Sequence, residues 1–193
     1  MSGNAGHDKR RVGVDLGLSE DEKTTLRRIA DAAIRNHCLG TKMPEPSDLS
    51  PKLEEHRGAF VCIKKNGELR GCIGMIEGRG PLHKTIRDMA VQAAFADPRF
   101  CGVEARELQD LNLEISVLTP MERIKSPEDV RVGTHGLYIR RGYASGLLLP
   151  QVASEHGWSR TEFLEWTCRK AGLPGNAWQD PDTEIYVFSA DIF

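Results

Sequence analysis

The sequence predicts an α+β fold: an antiparallel or mixed sheet packed with helices, in two closely joined subdomains. Three observations point to it. Turn residues divide short apolar runs at Asn66-Gly67 and again at Gly142, which marks hairpins and so antiparallel pairing. Three longer segments repeat apolar residues at helical spacing, around Ile29, Ile86 and Leu164. The order is helix, hairpin, helix, strand, hairpin, helix, strand, not the regular alternation of a parallel array. At 193 residues the chain can bury one proper core or two adjoining ones.

Taken in order, residues 1–18 read as a disordered tail, ahead of a domain over 19–193. Ser19-Glu20-Asp21-Glu22 is a capping box, and Leu26, Ile29, Ala30, Ala33, Ile34 and His37 continue it as a helix to about Cys38. Gly40 stops it. Leu39 to Gly58, with Pro44, Pro46 and Pro51 among charges, predicts an irregular exposed loop. Ala59–Lys65 and Glu68–Ile76 flank the Asn66-Gly67 turn. A plain two-residue hairpin sets Lys65 against Glu68, Ile63 against Arg70, Cys62 against Gly71 and Val61 against Cys72. Alternation then places Arg70, Cys72 and Gly74 on one face and Cys62 on the other, so no Cys62–Cys72 disulfide is expected.

Pro81 opens a second helix, striped by Leu82, Ile86, Met89, Ala90 and Ala93 and ending near Ala96 before Asp97-Pro98. Leu111–Leu118 alternates as a half-buried strand. Gly136–Arg141 and Gly146–Leu149 form the second hairpin. Ser159–Ala171 is the last helix, with Gly172 as its stop, and Glu184–Phe193 a terminal strand.

Composition excludes several function classes. The net charge of −2 gives no global basic field for nucleic acid, and Arg140-Arg141-Gly142-Tyr143 reads as a charged hairpin tip. No apolar run approaches the roughly 20 residues of a membrane helix. The polar start, Met1 to Arg11, lacks a signal core, which predicts a cytoplasmic protein. Five cysteines without a Cys-x-x-Cys pair argue for reduced thiols rather than zinc or a disulfide framework. No familiar metal-ligand spacing occurs, and no cofactor is expected.

The segment Leu69-Arg70-Gly71-Cys72-Ile73-Gly74 is the candidate site. An arginine on its face and a following helix N-terminus would favour a Cys72 thiolate, whereas a small buried cysteine is the structural alternative. Gly71 and Gly74 would admit a ligand or partner backbone, or tight helix packing. Arg70 would clamp a carboxylate or phosphate, or pair with Glu114. His83 would sit beside an anion at the helix start, and Gln151 would orient a ligand amide. Cys72, Glu114 and His135 form a candidate nucleophile, carboxylate and base.

Leu69–Gly74, Ala93-Ala94-Phe95-Ala96-Asp97-Pro98-Arg99-Phe100, Leu113–Leu118, His135-Gly136-Leu137 and Leu148-Leu149-Pro150-Gln151-Val152 occur in this order. Together they resemble the AMMECR domain family over roughly residues 20–193. The resemblance implies a two-subdomain α/β fold and a functional hexapeptide around the cysteine. It also implies kinship with protein A of the AmmeMemoRadiSam system, and so Memo-like and radical SAM proteins as partners. A non-catalytic module docking through Leu69–Gly74 is the alternative to an enzyme.

Overall fold

A computed structural model describes residues 12–193. It is an α+β fold in two compact units, one of residues Asp15–Arg123 with Phe188–Phe193, the other built on Ile124–Val187. Of the tail expected over 1–18, residues 1–11 lie outside the described residues. Leu16 and Leu18 pack against the core of the first unit.

The first unit begins with helix α1 (Glu20–Leu39). Ser19 caps it reciprocally with Glu22, and Gly40 ends it at φ 65°. The following loop is less irregular than its prolines suggest. Pro51 starts one 3-10 turn, Pro51–Glu54, which buries Leu53. Strands β1 (Ala59–Lys65) and β2 (Glu68–Met75) form the first hairpin, and helix α2 (Leu82–Phe95) returns across it. Strand β3 (Leu111–Leu118) pairs antiparallel with β1, and a two-residue strand, β4 (Glu122–Arg123), follows. Val61, Ile63, Ile115 and Val117 meet Leu26, Ala30, Ile34, Ile86 and Ala90 in one core. The β-branched residues suit the pleated face, and the helices supply matching stripes.

The second unit holds the hairpin of β5 (His135–Arg141) and β6 (Ala144–Leu148). A short helix, α3 (Pro150–Glu155), was not legible as such; Pro150 at its first position, with φ preset, starts it. Helix α4 (Arg160–Lys170) carries a second capping box, Ser159 with Glu162. Leu137, Ile139, Phe163, Leu164, Cys168 and Val187 form this unit's core. The last strand, β7 (Glu184–Ile192), lends its end to the first unit, where Ile192, Asp191 and Ala190 pair with Ser116, Val117 and Leu118. None of the helices among the described residues is long and apolar enough to cross a membrane.

Candidate functional site

The Asn66-Gly67 turn adopts the positive φ angles expected of it, 53° and 85°. The register beyond it departs from the plain hairpin. Lys64 faces Leu69, but Ile63 faces Gly71, so Arg70 has no partner on β1. This bulge advances every later pair by one residue. Cys62 lies opposite Cys72 rather than Gly71, with Cα atoms 4.1 Å apart. Both point away from the helices, and they are joined as a disulfide. The expectation of separate faces and five reduced thiols is therefore corrected. Cys38, Cys101 and Cys168 are free, and desolvation pushes the buried Cys168 thiol up.

On β3, Glu114 lies opposite Cys62. Cys72, Cys62 and Glu114 thus form one row across three strands, on the face opposite the core. Lys64, two residues along β1 on that face, reaches Glu114 at 3.2 Å. Cys62 is 8% exposed and Cys72 is half-buried.

Arg70 is not a free clamp and does not pair with Glu114. Its guanidinium makes a two-pronged contact with Glu107, Nε to Oε1 at 3.1 Å and Nη2 to Oε2 at 3.0 Å. It also donates to the carbonyls of Cys101, at 2.8 Å, and Gly102, at 3.2 Å. Lys65 and the Glu104 N–H donate to Glu107 as well. Arg70, foremost, holds the Glu107 carboxyl down at about 2.

Helix α2 meets the hairpin with its other end. A Cβ on Gly71 would lie 2.1 Å from the Ala93 carbonyl oxygen, in the last turn of the helix. The negative end of the α2 dipole is therefore the one near Cys72, which disfavours a thiolate there. Gly74 is filled as closely, by the Phe60 ring. Both glycines serve internal packing. His83, at the α2 start, is buried with Nε2 3.4 Å from Glu54.

Just past α2, Asp97 turns back to β2. Its Oδ2 accepts the Cys72 N–H at 2.9 Å. Arg99 binds the same carboxylate through Nε at 2.9 Å and Nη2 at 2.6 Å, and Nη2 also donates to the Cys72 carbonyl at 3.4 Å. The Asp97 side chain is 2% exposed, and Arg99, before the backbone bonds, holds its carboxyl well below the ordinary range.

His135 and Gln151 belong to the second unit. The half-buried His135 accepts the Arg131 N–H at Nδ1, 3.3 Å away, and Gln151 is buried in the first turn of α3. Within the first unit, then, Cys72 and Glu114 share a row, and Arg70 and His83 are engaged elsewhere. Cys62, Lys64, Asp97 and Glu107 were not singled out from sequence as site residues. The Asp97-Pro98-Arg99 run was the available signal. Among the described residues no group of three or more His, Cys, Asp or Glu is placed to hold a metal ion.

A model of the AMMECR1 family matches residues 27–193. The chain belongs to the AMMECR1 family. A protein of Methanothermobacter thermautotrophicus is 49% identical over 183 residues, 91% of this chain and 95% of that one. One from Methanopyrus kandleri is 43% identical over 191 residues, 94% of this chain and 91% of that one. The crystal structure of an uncharacterised protein from Pyrococcus horikoshii matches with a TM-score of 0.87 at 40% identity, covering 91% of this chain and 92% of that one.

Proposed function

We propose that this AMMECR1 protein is a two-cysteine redox component, exchanging electrons between the Cys62–Cys72 pair and a dithiol or disulfide on a partner. The observation that supports it is the row itself: two directly opposed cysteines, joined, beside a carboxylate and an ammonium. The bond closes a loop only ten residues long, so it removes less chain entropy than a long-range cross-link would. In a cytoplasmic protein such a bond serves chemistry more often than stability.

The sulfur of Cys72, the more exposed residue of the two, takes the attack of a partner thiolate. The bond to Cys62 breaks, and the Cys62 sulfur leaves with the electron pair beside Lys64 and takes a proton. The partner's second thiolate then attacks the mixed disulfide and releases Cys72 as a thiolate, which is also protonated. The partner gains one disulfide, and the pair gains two electrons and two protons. In reverse, Glu114 receives the Cys62 proton as the bond re-forms. The exchange needs neither His135 nor Gln151. Memo-like and radical SAM proteins are the proposed partners, and the cytoplasm the proposed compartment.

Incubation with glutathione, followed by peptide mass mapping, tests this. Native folded protein should interconvert between the Cys62–Cys72 disulfide and the dithiol. Cys62→Ser should accumulate a glutathione adduct on Cys72. A pair that stays unreactive until the chain unfolds would sink the proposal.

A further inference from the structure

The outer side of β2 carries a device that the exchange chemistry alone does not call for. In an antiparallel pair, opposed residues about 5.5 Å apart exchange backbone hydrogen bonds, whereas those near 4.5 Å do not. At 4.1 Å, Cys62 and Cys72 are of the second kind. The Cys72 N–H and carbonyl therefore point outward, away from β1. There Asp97 accepts the first and Arg99 donates to the second. Both come from one three-residue run, and the carboxylate that joins them is buried.

The position beside Cys72 needs such support. The bulge at Arg70 interrupts the ladder one residue before Gly71. Arg70 itself reaches outward to the Cys101 and Gly102 carbonyls, so residues 97–102 run along the outer side of β2 from Cys72 to Arg70. Once the disulfide opens, the Cys72 sulfur stays opposite Cys62 only if its backbone stays in place. Effective concentration of one thiol toward the other depends on that placement.

We propose that Asp97, with Arg99, is the positioning residue of the redox pair: it clamps the Cys72 backbone so that the reduced thiols remain opposed and the disulfide re-forms. This rests on the exchange function proposed above. Asp97 touches no reacting atom and acts through the Cys72 main chain. Because the Cys72 N–H and carbonyl are both taken, the same clamp closes this point of the edge to an added strand.

The test is a titration of the full chain against mixtures of reduced and oxidised glutathione, with the oxidised fraction read by alkylation and mass. Asp97→Ala should shift the equilibrium about tenfold toward the dithiol. Asp97→Asn, which keeps an oxygen for the Cys72 N–H, should recover most of that. Arg99→Gln, at a half-exposed side chain, should give a smaller shift in the same direction and serves if Asp97→Ala does not fold. Thermal midpoints of both redox forms complete the cycle. A merely structural Asp97 would lower both midpoints equally and leave the redox equilibrium unchanged, and that result overturns the clamp. Wild-type protein that does not exchange with glutathione overturns the redox function and the clamp together. Wild-type exchange with unshifted Asp97 and Arg99 variants overturns the clamp alone.

Discussion

The hairpins β1–β2 and β5–β6 use different turns for the same task. The first turns through Asn66 and Gly67, both at positive φ, and the second through Gly142 alone at 58°, with Tyr143 beside it. Each has a glycine in its second strand where the end of a helix closes in. A Cβ on Gly71 would meet the Ala93 oxygen at 2.1 Å, and one on Gly146 would meet the Ala171 nitrogen at 2.4 Å. The β5–β6 register then runs unbroken from Arg141↔Ala144 to Leu137↔Leu148. That of β1–β2 slips by one residue between Lys64 and Ile63. The slip sets cysteine against cysteine and leaves Arg70 unpaired on β1. One additional residue in an otherwise similar scaffold separates a hairpin with an unbroken register from one that sets two cysteines face to face.

The largest effect should come from the glycines both hairpins share. Gly71→Ala and Gly146→Ala each force a methyl group into main-chain atoms, which cannot rotate aside. Each should cost about 3 kcal/mol, the upper end for overpacking. The two should differ in one respect. Gly71→Ala moves β2 against α2, and so should also impair the Cys62–Cys72 bond, while Gly146→Ala should leave that bond intact. Denaturant unfolding with disulfide mapping reads both. A Gly71→Ala protein of unchanged stability would mean that α2 does not close on β2 as described.

The slip explains what the sequence could and could not reveal. Capping at Ser19, the apolar stripes of α1, α2 and α4, and the alternation of Leu111–Leu118 are local patterns, and they mark their elements directly. A bulge has no equally local signature. Its indirect signature was present: Val61 and Ile63 need the same face as Ile73 and Met75 to share one core, and only a register advanced by one residue allows that. Pairs counted from the turn alone give the plain register instead, which separates Cys62 from Cys72. The end of α2 that meets the hairpin differs from the expectation for a related reason. Residue count from Cys72 to Pro81 suggested that the α2 start lies near the cysteine, but β2 continues to Met75 and α2 runs back, so its last turn meets Gly71. Arg70–Glu107 spans 37 positions and joins a strand to a 3-10 turn, a pairing no spacing rule reaches.

That ion pair gives the second contrast. The folded Glu107 carboxyl lies at about 2, below its ordinary 4.5, chiefly through Arg70. A lowered folded pKa adds stability above the ordinary value and loses it as pH falls toward the folded one. Stability should therefore decline between about pH 4.5 and 2, and Glu107→Gln should flatten that slope. Asp97 acts in the same direction and carries the loss to lower pH. On the other hairpin, the Arg140–Glu184 pair has its arginine 47% exposed. Arg140→Ala should leave the acid slope as it is, since exposed pairs contribute little. Urea midpoints at several pH values separate the two. An unchanged slope in Glu107→Gln would remove the bulge's ion pair from the account of stability.

The smallest effect belongs at the tip of β5–β6. Tyr143 is fully exposed, and Gly142 beside it alone supplies the positive φ of the turn. A two-residue turn with glycine first places few demands on the residue after it. Tyr143→Ser should then change unfolding free energy by no more than about 0.5 kcal/mol, the range of a surface site without partners. Gly142→Val should cost more, because a β-branched residue resists that φ. The pair of variants isolates the turn from its ornament: the backbone requirement sits on one residue and the large side chain on the next. Concentration-dependent unfolding sharpens this further. If Tyr143→Ser lowers stability more as protein concentration rises, the tip is a contact between copies of the chain, and β5–β6 is no longer the plain hairpin against which β1–β2 is judged.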